Sequence, residues 1–136
     1  MNIVPAMNPF RFRMPREIIF ASGCVRQAAE KAAALGAKRP LFITGASMAK
    51  SALLGELMDS MRALGMVPGH WGEVQPEPPV ALLDKGVKFI IDGGYDCIIA
   101  FGGGGSMDCA NMAAGMAEDR AFIVPHVLFI VNVPSV

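Results

Sequence analysis

Residues 97–116 read CIIAFGGGGSMDCANMAAGM: an apolar run, four consecutive glycines, and a segment rich in alanine and methionine. The run Cys97 to Phe101 shows no polar alternation, the pattern of a strand covered on both faces. Ser106 to Met116 reads as a helix. Four residues without a Cβ are an entropic liability at such a junction. Two readings account for them: a tight turn with close helix-to-strand packing, or a backbone whose N–H groups approach an anion at a helix N-terminus. A turn needs one or two glycines, so the length of the run favours the anion.

Working outward, Leu41 to Thr44 (LFIT) is a second buried strand, followed by Gly45-Ala46-Ser47. Ser47 is placed to cap a helix on which Leu53, Leu54, Leu57, Met58, Met61 and Leu64 recur at helical spacing, with Gly65 as its stop. Glu17 to Phe20 (EIIF) suits a strand running into the Ser22-Gly23 turn, and residues 24–36 an alanine-rich helix ended by Gly36. Met66 to Trp71 reads as a third strand weakened by Pro68, and Gly72 to Pro79 (GEVQPEPP) as a loop. Val80 to Ile91 returns to helical spacing, Asp92-Gly93-Gly94 breaks it, and Val127 to Val133 is the last strand.

Buried strands alternating with helices predict an α/β fold, a doubly wound parallel sheet forming one domain over residues 1–136, with 1–14 an irregular arm. Ligands of such sheets sit beyond the carboxyl ends of the strands. Three loops therefore matter: Thr44 to Ser47, Gly72 to Pro79 and Gly102 to Ser106.

The chain has 136 residues, 53% of them apolar and 18% charged, a composition that folds rather than stays disordered. Basic and acidic residues balance at 12 each, so no net field points to nucleic acid or an acidic membrane. Cys24, Cys97 and Cys109 lack paired spacing and read as buried thiols of a reducing, cytoplasmic protein. The N-terminus does not have the form of a signal peptide, and no stretch approaches the roughly 20 apolar residues of a membrane helix.

Common phosphate motifs do not fit. A P-loop would need Lys-Ser/Thr after the glycines, and GxGxxG counted from Gly103 would need glycine where Asp108 stands. FGGGGSMDCAN instead resembles the GGGSxxDxxK segment of the iron-containing, group III alcohol dehydrogenases, with IIAF in place of that family's preceding strand. PREIIFASG resembles its opening strand and glycine turn, RPLFITG its "kxLLVTD" strand, and WGEVQPEPPV its "fxgVxPNPT" segment. Val133-Pro134-Ser135-Val136 resembles "iPTT", which precedes the family's "AGTGSE" loop.

The resemblance implies an N-terminal nucleotide-binding domain of the kind shared with dehydroquinate synthase, the helical metal-binding domain being absent from this chain. It implies that Gly102, Gly103 and Gly104 cradle the pyrophosphate of NAD or NADP. Gly105 replaces the family's serine, and Ser106 offers a neighbouring hydroxyl. Asp108 matches the family aspartate, which leaves it either a ligand of loop N–H groups or a ribose hydroxyl, or a helix cap in the first turn. Asn111 stands where the family carries lysine.

Gly45 replaces the aspartate frequent in members that favour NAD, removing its repulsion of a 2′-phosphate, while Ser47 can donate to one. NADP is therefore expected to be tolerated or preferred. The family's divalent metal, iron or zinc, is held by one aspartate and three histidines of the helical domain, and the resemblance maps no ligand onto this chain. His70 and His126 are the two histidines present, and both read as packed or surface residues.

The expected activity is hydride transfer between a nicotinamide dinucleotide and a small-molecule alcohol or carbonyl. The alternatives are a non-catalytic dinucleotide-binding module and a dehydroquinate synthase-like lyase. No serine has a plausible base, and Cys109 is expected to be a core thiol. The apolar face left by a missing domain predicts self-association.

Overall fold

The computed structural model describes residues 24–75, 77, 79–102, 104–121 and 126–130. The arm at 1–14, the strand expected at Glu17 to Phe20 and the end of the last expected strand lie outside these residues. Four parallel strands, β1 (Pro40–Gly45), β2 (Gly69–Val74), β3 (Cys97–Phe101) and β4 (His126–Ile130), form one sheet in the order β2-β1-β3-β4. Around it lie α1 (Ala28–Ala34), entered through a 3₁₀ turn at Cys24–Gln27, α2 (Ala46–Ala49), α3 (Ala52–Ala63), α4 (Val80–Gly93) and α5 (Gly104–Ala121).

The strands alternate their side chains between two cores. Leu41, Ile43, Ile98 and Ala100 meet Leu83, Val87 and Ile90 of α4 and the alanines of α5 on one face. Phe42, Ile99 and Phe101 meet Ala32 of α1 and Leu57 and Met61 of α3 on the other. Covering both faces is what the unbroken apolar runs require. Each fully buried Leu, Ile or Phe contributes about 1.5–3 kcal/mol. The small residues Ala110, Ala113 and Ala117, all fully buried, face the sheet from α5.

From β1 the chain crosses by α3 to β2 at the sheet's edge. It then returns by α4, on the opposite face, past β1 to β3. Reversing direction together with face keeps one hand of crossover, as parallel connections demand.

Element boundaries moved where local chemistry competed with pattern. β2 starts after Pro68, which has no N–H to give a ladder, and it runs on through Gly72 to Val74, where a loop was expected. Val74 stays in the sheet because it pairs with Gly45. The cap of α3 is Ser51, whose hydroxyl accepts the Leu53 N–H at 3.2 Å, and Ser47 lies instead within α2. The fourth helix continues past Ile91 to Gly93 and is ended by Gly94 in the left-handed region (φ 65°, ψ 33°). The glycine-led helix starts two residues earlier than Ser106 and runs on to Ala121.

At the amino ends of the strands the structure is tied together. Asp96 accepts from the Lys38 N–H at 2.9 Å and the Arg39 N–H at 3.0 Å. The Arg39 Nε donates to the Gly93 carbonyl at 2.7 Å, and its guanidinium lies 5.1 Å from the centre of the Tyr95 ring. Tyr95 in turn stacks on Phe89, with centroids 5.7 Å apart.

Candidate functional site

The outgoing connections of β1 and β3, neighbours in the sheet, leave in opposite directions, one toward β2 and the other toward β4. Such a reversal opens a crevice above the carboxyl ends of the two strands. Their register runs from Pro40 beside Cys97 to Ile43 beside Ala100, so Gly45 at the end of β1 and Gly102 just after β3 come out at the same end of the sheet. Two of the loops expected to converge therefore do so, each led by a glycine.

Gly102 takes φ +139°, which side-chain-bearing residues rarely adopt. A Cβ there would lie 3.1 Å from Ser106 Oγ and 3.5 Å from Met48 Cγ. The loop after β3 thus touches both its own helix and α2, and adding even one carbon would fill the gap. Met48 was not singled out from sequence, since a methionine among apolar residues carries no signal of where it points.

Gly103 lies outside the described residues. Gly104 and Gly105 are the first two residues of α5, and Ser106, the third, is buried. The first-turn N–H groups of an α-helix have no partner within it and carry the positive end of its dipole. Asp108 is the fifth residue of α5 and is exposed. It therefore stands beyond the first turn, where neither helix capping nor contact with the first free N–H groups is its natural role; the earlier helix start is the cause.

Gly45 has an ordinary extended backbone (φ −81°, ψ 177°), so its missing side chain matters for space rather than conformation. Ser47 is exposed on α2. The Gly72–Pro79 loop contributes less than expected because β2 occupies its first half.

Sequence reasoning placed Thr44 at the head of a loop that matters and read His70 as a packed or surface residue, without joining the two. Thr44 is fully buried at the end of β1, and its Oγ1 lies 2.7 Å from His70 Nε2 on β2. Burial lowers the pKa of His70 from 6.5. Burial also raises that of Cys109, and Cys97 is pushed up to about 12 by burial and by the nearby Asp96 carboxylate, so both stay protonated thiols at neutral pH. Both are buried, as expected.

Among the described residues no three His, Cys, Asp or Glu side chains gather to hold a metal. No helix among them is long and apolar enough to cross a membrane. A separate open groove of about 510 Å³, lined by residues including Trp71, Lys85, Lys88, Phe89 and Tyr95, runs along the β2 edge. It takes in Glu73 of the Gly72–Pro79 stretch but none of the cofactor-binding candidates, and the strand-end crevice remains the better candidate on topology.

Residues 15–136 match the family model described as iron-containing alcohol dehydrogenase. The chain is 35% identical over 95 residues to long-chain-alcohol dehydrogenase 1 of Geobacillus thermodenitrificans, a match covering 70% of this chain and 24% of that protein. It is 29% identical over 114 residues to a probable NADH-dependent butanol dehydrogenase 1 of Bacillus subtilis, covering 83% and 30%. Among solved structures, the archaeal halo-thermophilic Red Sea brine pool alcohol dehydrogenase ADH/D1 superposes with a TM-score of 0.72 at 31% identity, covering 83% of this chain and 28% of that one. The chain spans about a quarter to a third of the length of these relatives.

Proposed function

The chain belongs to the iron-containing alcohol dehydrogenase family, and on that premise we propose that it is the dinucleotide-binding part of an oxidoreductase interconverting an alcohol and an aldehyde or ketone. The observation that carries this reading is Gly102: a glycine at φ +139° at the switch point of the sheet, a backbone that side chains disfavour, where a Cβ would sit tight against Ser106 and in contact with Met48. A backbone held this way lets a pyrophosphate approach the N-terminus of α5.

When bound, the nicotinamide ring would supply the hydride acceptor or donor. The chain's own residues would hold the rest of the molecule. Backbone N–H groups of Gly102 to Gly105 meet the phosphates, with the Ser106 hydroxyl beside them, and Gly45 leaves space above β1 for the adenosine end. The probable NADH-dependent butanol dehydrogenase among the relatives supports a nicotinamide dinucleotide as the ligand. With glycine at 45 no carboxylate opposes a 2′-phosphate, and Ser47, exposed nearby, is placed to meet one; NADPH is expected to bind at least as tightly as NADH.

Among the described residues no three His, Cys, Asp or Glu side chains gather to hold a metal. The 136-residue chain by itself is expected to bind the dinucleotide without turning over an alcohol.

A fluorescence titration of the chain with NADH and NADPH, alongside Gly102→Val, tests the reading. Saturable binding that weakens about 10- to 100-fold in the variant is expected, the equivalent of roughly 1–3 kcal/mol of strain and lost approach. A folded wild-type chain that binds neither dinucleotide would overturn it.

A further inference from the structure

The two strands that flank the Gly45 turn are not evenly matched. β1 pairs Ile43 with Trp71 and then Gly45 with Val74, so Gly72 and Glu73 of β2 together oppose the single residue Thr44. An extra residue of this kind bends its strand and re-aims nearby side chains, and such bulges concentrate beside functional sites.

The space left by the missing side chain of Gly72 is taken by the His70 ring. A Cβ placed on Gly72 would lie 2.9 Å from His70 Cε1, 3.2 Å from His70 Nε2 and 3.2 Å from the Ala49 Cβ of α2. His70 thus occupies the space over Gly72, with its Nε2 2.7 Å from the Thr44 hydroxyl, and the Ala49 Cβ of α2 borders the same space. That space borders both sides of the Gly45-Ala46-Ser47 segment: Thr44 precedes it, and Ala49 is the last residue of α2, which begins at Ala46.

Thr44 has no access to solvent, so a hydroxyl without His70 would be left dry and unpartnered. Thr44 from β1, Gly72 from β2 and Ala49 from α2 bring no charge to the ring.

We propose that His70 is a positioning residue for the Gly45–Ser47 turn, setting through Thr44 and Ala49 the shape of the crevice wall on which the adenosine end of a dinucleotide rests. The inference rests on the dinucleotide reading for its consequence but not for its geometry. His70 touches no ligand itself; it fixes the turn that does.

The test is an NMR pH titration of the ¹⁵N-labelled 136-residue chain, following the His70 imidazole and the Gly45, Ala46 and Ser47 amides, combined with NADH titrations of His70→Phe, His70→Gln and Thr44→Val. The turn amides are expected to titrate together with the His70 ring in the wild type and to lose that coupling in Thr44→Val. His70→Phe should weaken NADH binding roughly 2- to 10-fold, the scale of one buried hydrogen bond, and glutamine, whose amide can reach the same hydroxyl, should restore most of it.

Turn amides indifferent to the His70 titration would overturn the proposal, as would a folded His70→Phe chain that binds NADH like the wild type. Should His70→Phe fail to fold, the wild-type and Thr44→Val titrations still decide it. Coupled titration in a wild-type chain that binds no NADH would instead overturn the dinucleotide reading while leaving the positioning of the turn standing.

Discussion

The two ends of the sheet are built on opposite principles. At the amino ends Asp96, Arg39 and Tyr95 bind backbone to side chain across β1, β3 and α4. At the carboxyl ends β1 finishes in Gly45 and β3 is followed at once by Gly102, and the crowding comes from neighbours rather than from their own side chains. One end has the means to hold the fold, and the other leaves space above it. In a doubly wound sheet this is the expected division, since ligands approach from the carboxyl side.

The comparison breaks if damage to the amino end also reaches ligand affinity. Gly93→Val should have the largest effect on stability, because its side chain would run into the ring of Tyr95, which already fills the space left by the missing side chain of Gly69. A loss of about 3 kcal/mol is expected in urea unfolding, at the upper end of overpacking costs. NADH affinity, measured where the variant is still folded, should not change. Asp96→Ala comes next. It removes the acceptor of two backbone N–H groups, one of them exposed, and should cost about 1–2 kcal/mol, again with the dissociation constant untouched. A weakened NADH affinity in either variant would show that the two ends are not independent.

The smallest effect sharpens the picture at the carboxyl end. Burial lowers the pKa of His70 in the folded chain below its unfolded value of 6.5. As pH falls through 6.5 the unfolded chain takes up a proton that the folded chain refuses until the lower folded pKa is reached. Stability should therefore be full above 6.5 and decline across the window below it. Unfolding curves of the wild type and His70→Gln at matched pH values check this, and the variant should lack that part of the decline.

Much of the fold was legible because long-range packing and local pattern agree. CIIAF and LFIT are apolar throughout and became the two central strands; Leu54, Leu57 and Met61 keep helical spacing and became the buried face of α3. Legibility failed where one interaction overrode the pattern. Ser51 rather than Ser47 caps α3, because a short helix intervenes that four residues of sequence cannot announce. Val74 stayed in β2 through a partner in another strand.

The same limit applies to the site. The glycine run declared itself, since residues without a Cβ at a strand end demand an explanation. Gly102 alone does not reveal that Met48 closes over it. His70 is one of two histidines in the chain, and nothing in GHWGEV shows that it reaches Thr44; that depends on the pairing of β1 with β2, which sets His70 opposite Phe42, two residues from Thr44. Family resemblance located the glycines and Asp108 by alignment, but the helix start that sets Asp108 beyond the first turn is a property of the backbone.

The measurement that tests the account most directly is a map of amide shift changes in the ¹⁵N-labelled chain on adding NADH. The account predicts changes clustered at Gly45 to Met48 and Gly102 to Ser106, with Lys38, Arg39, Tyr95 and Asp96 unmoved. Saturable changes centred on the groove at Trp71, Lys85 and Phe89, or no changes in a folded chain, would contradict it.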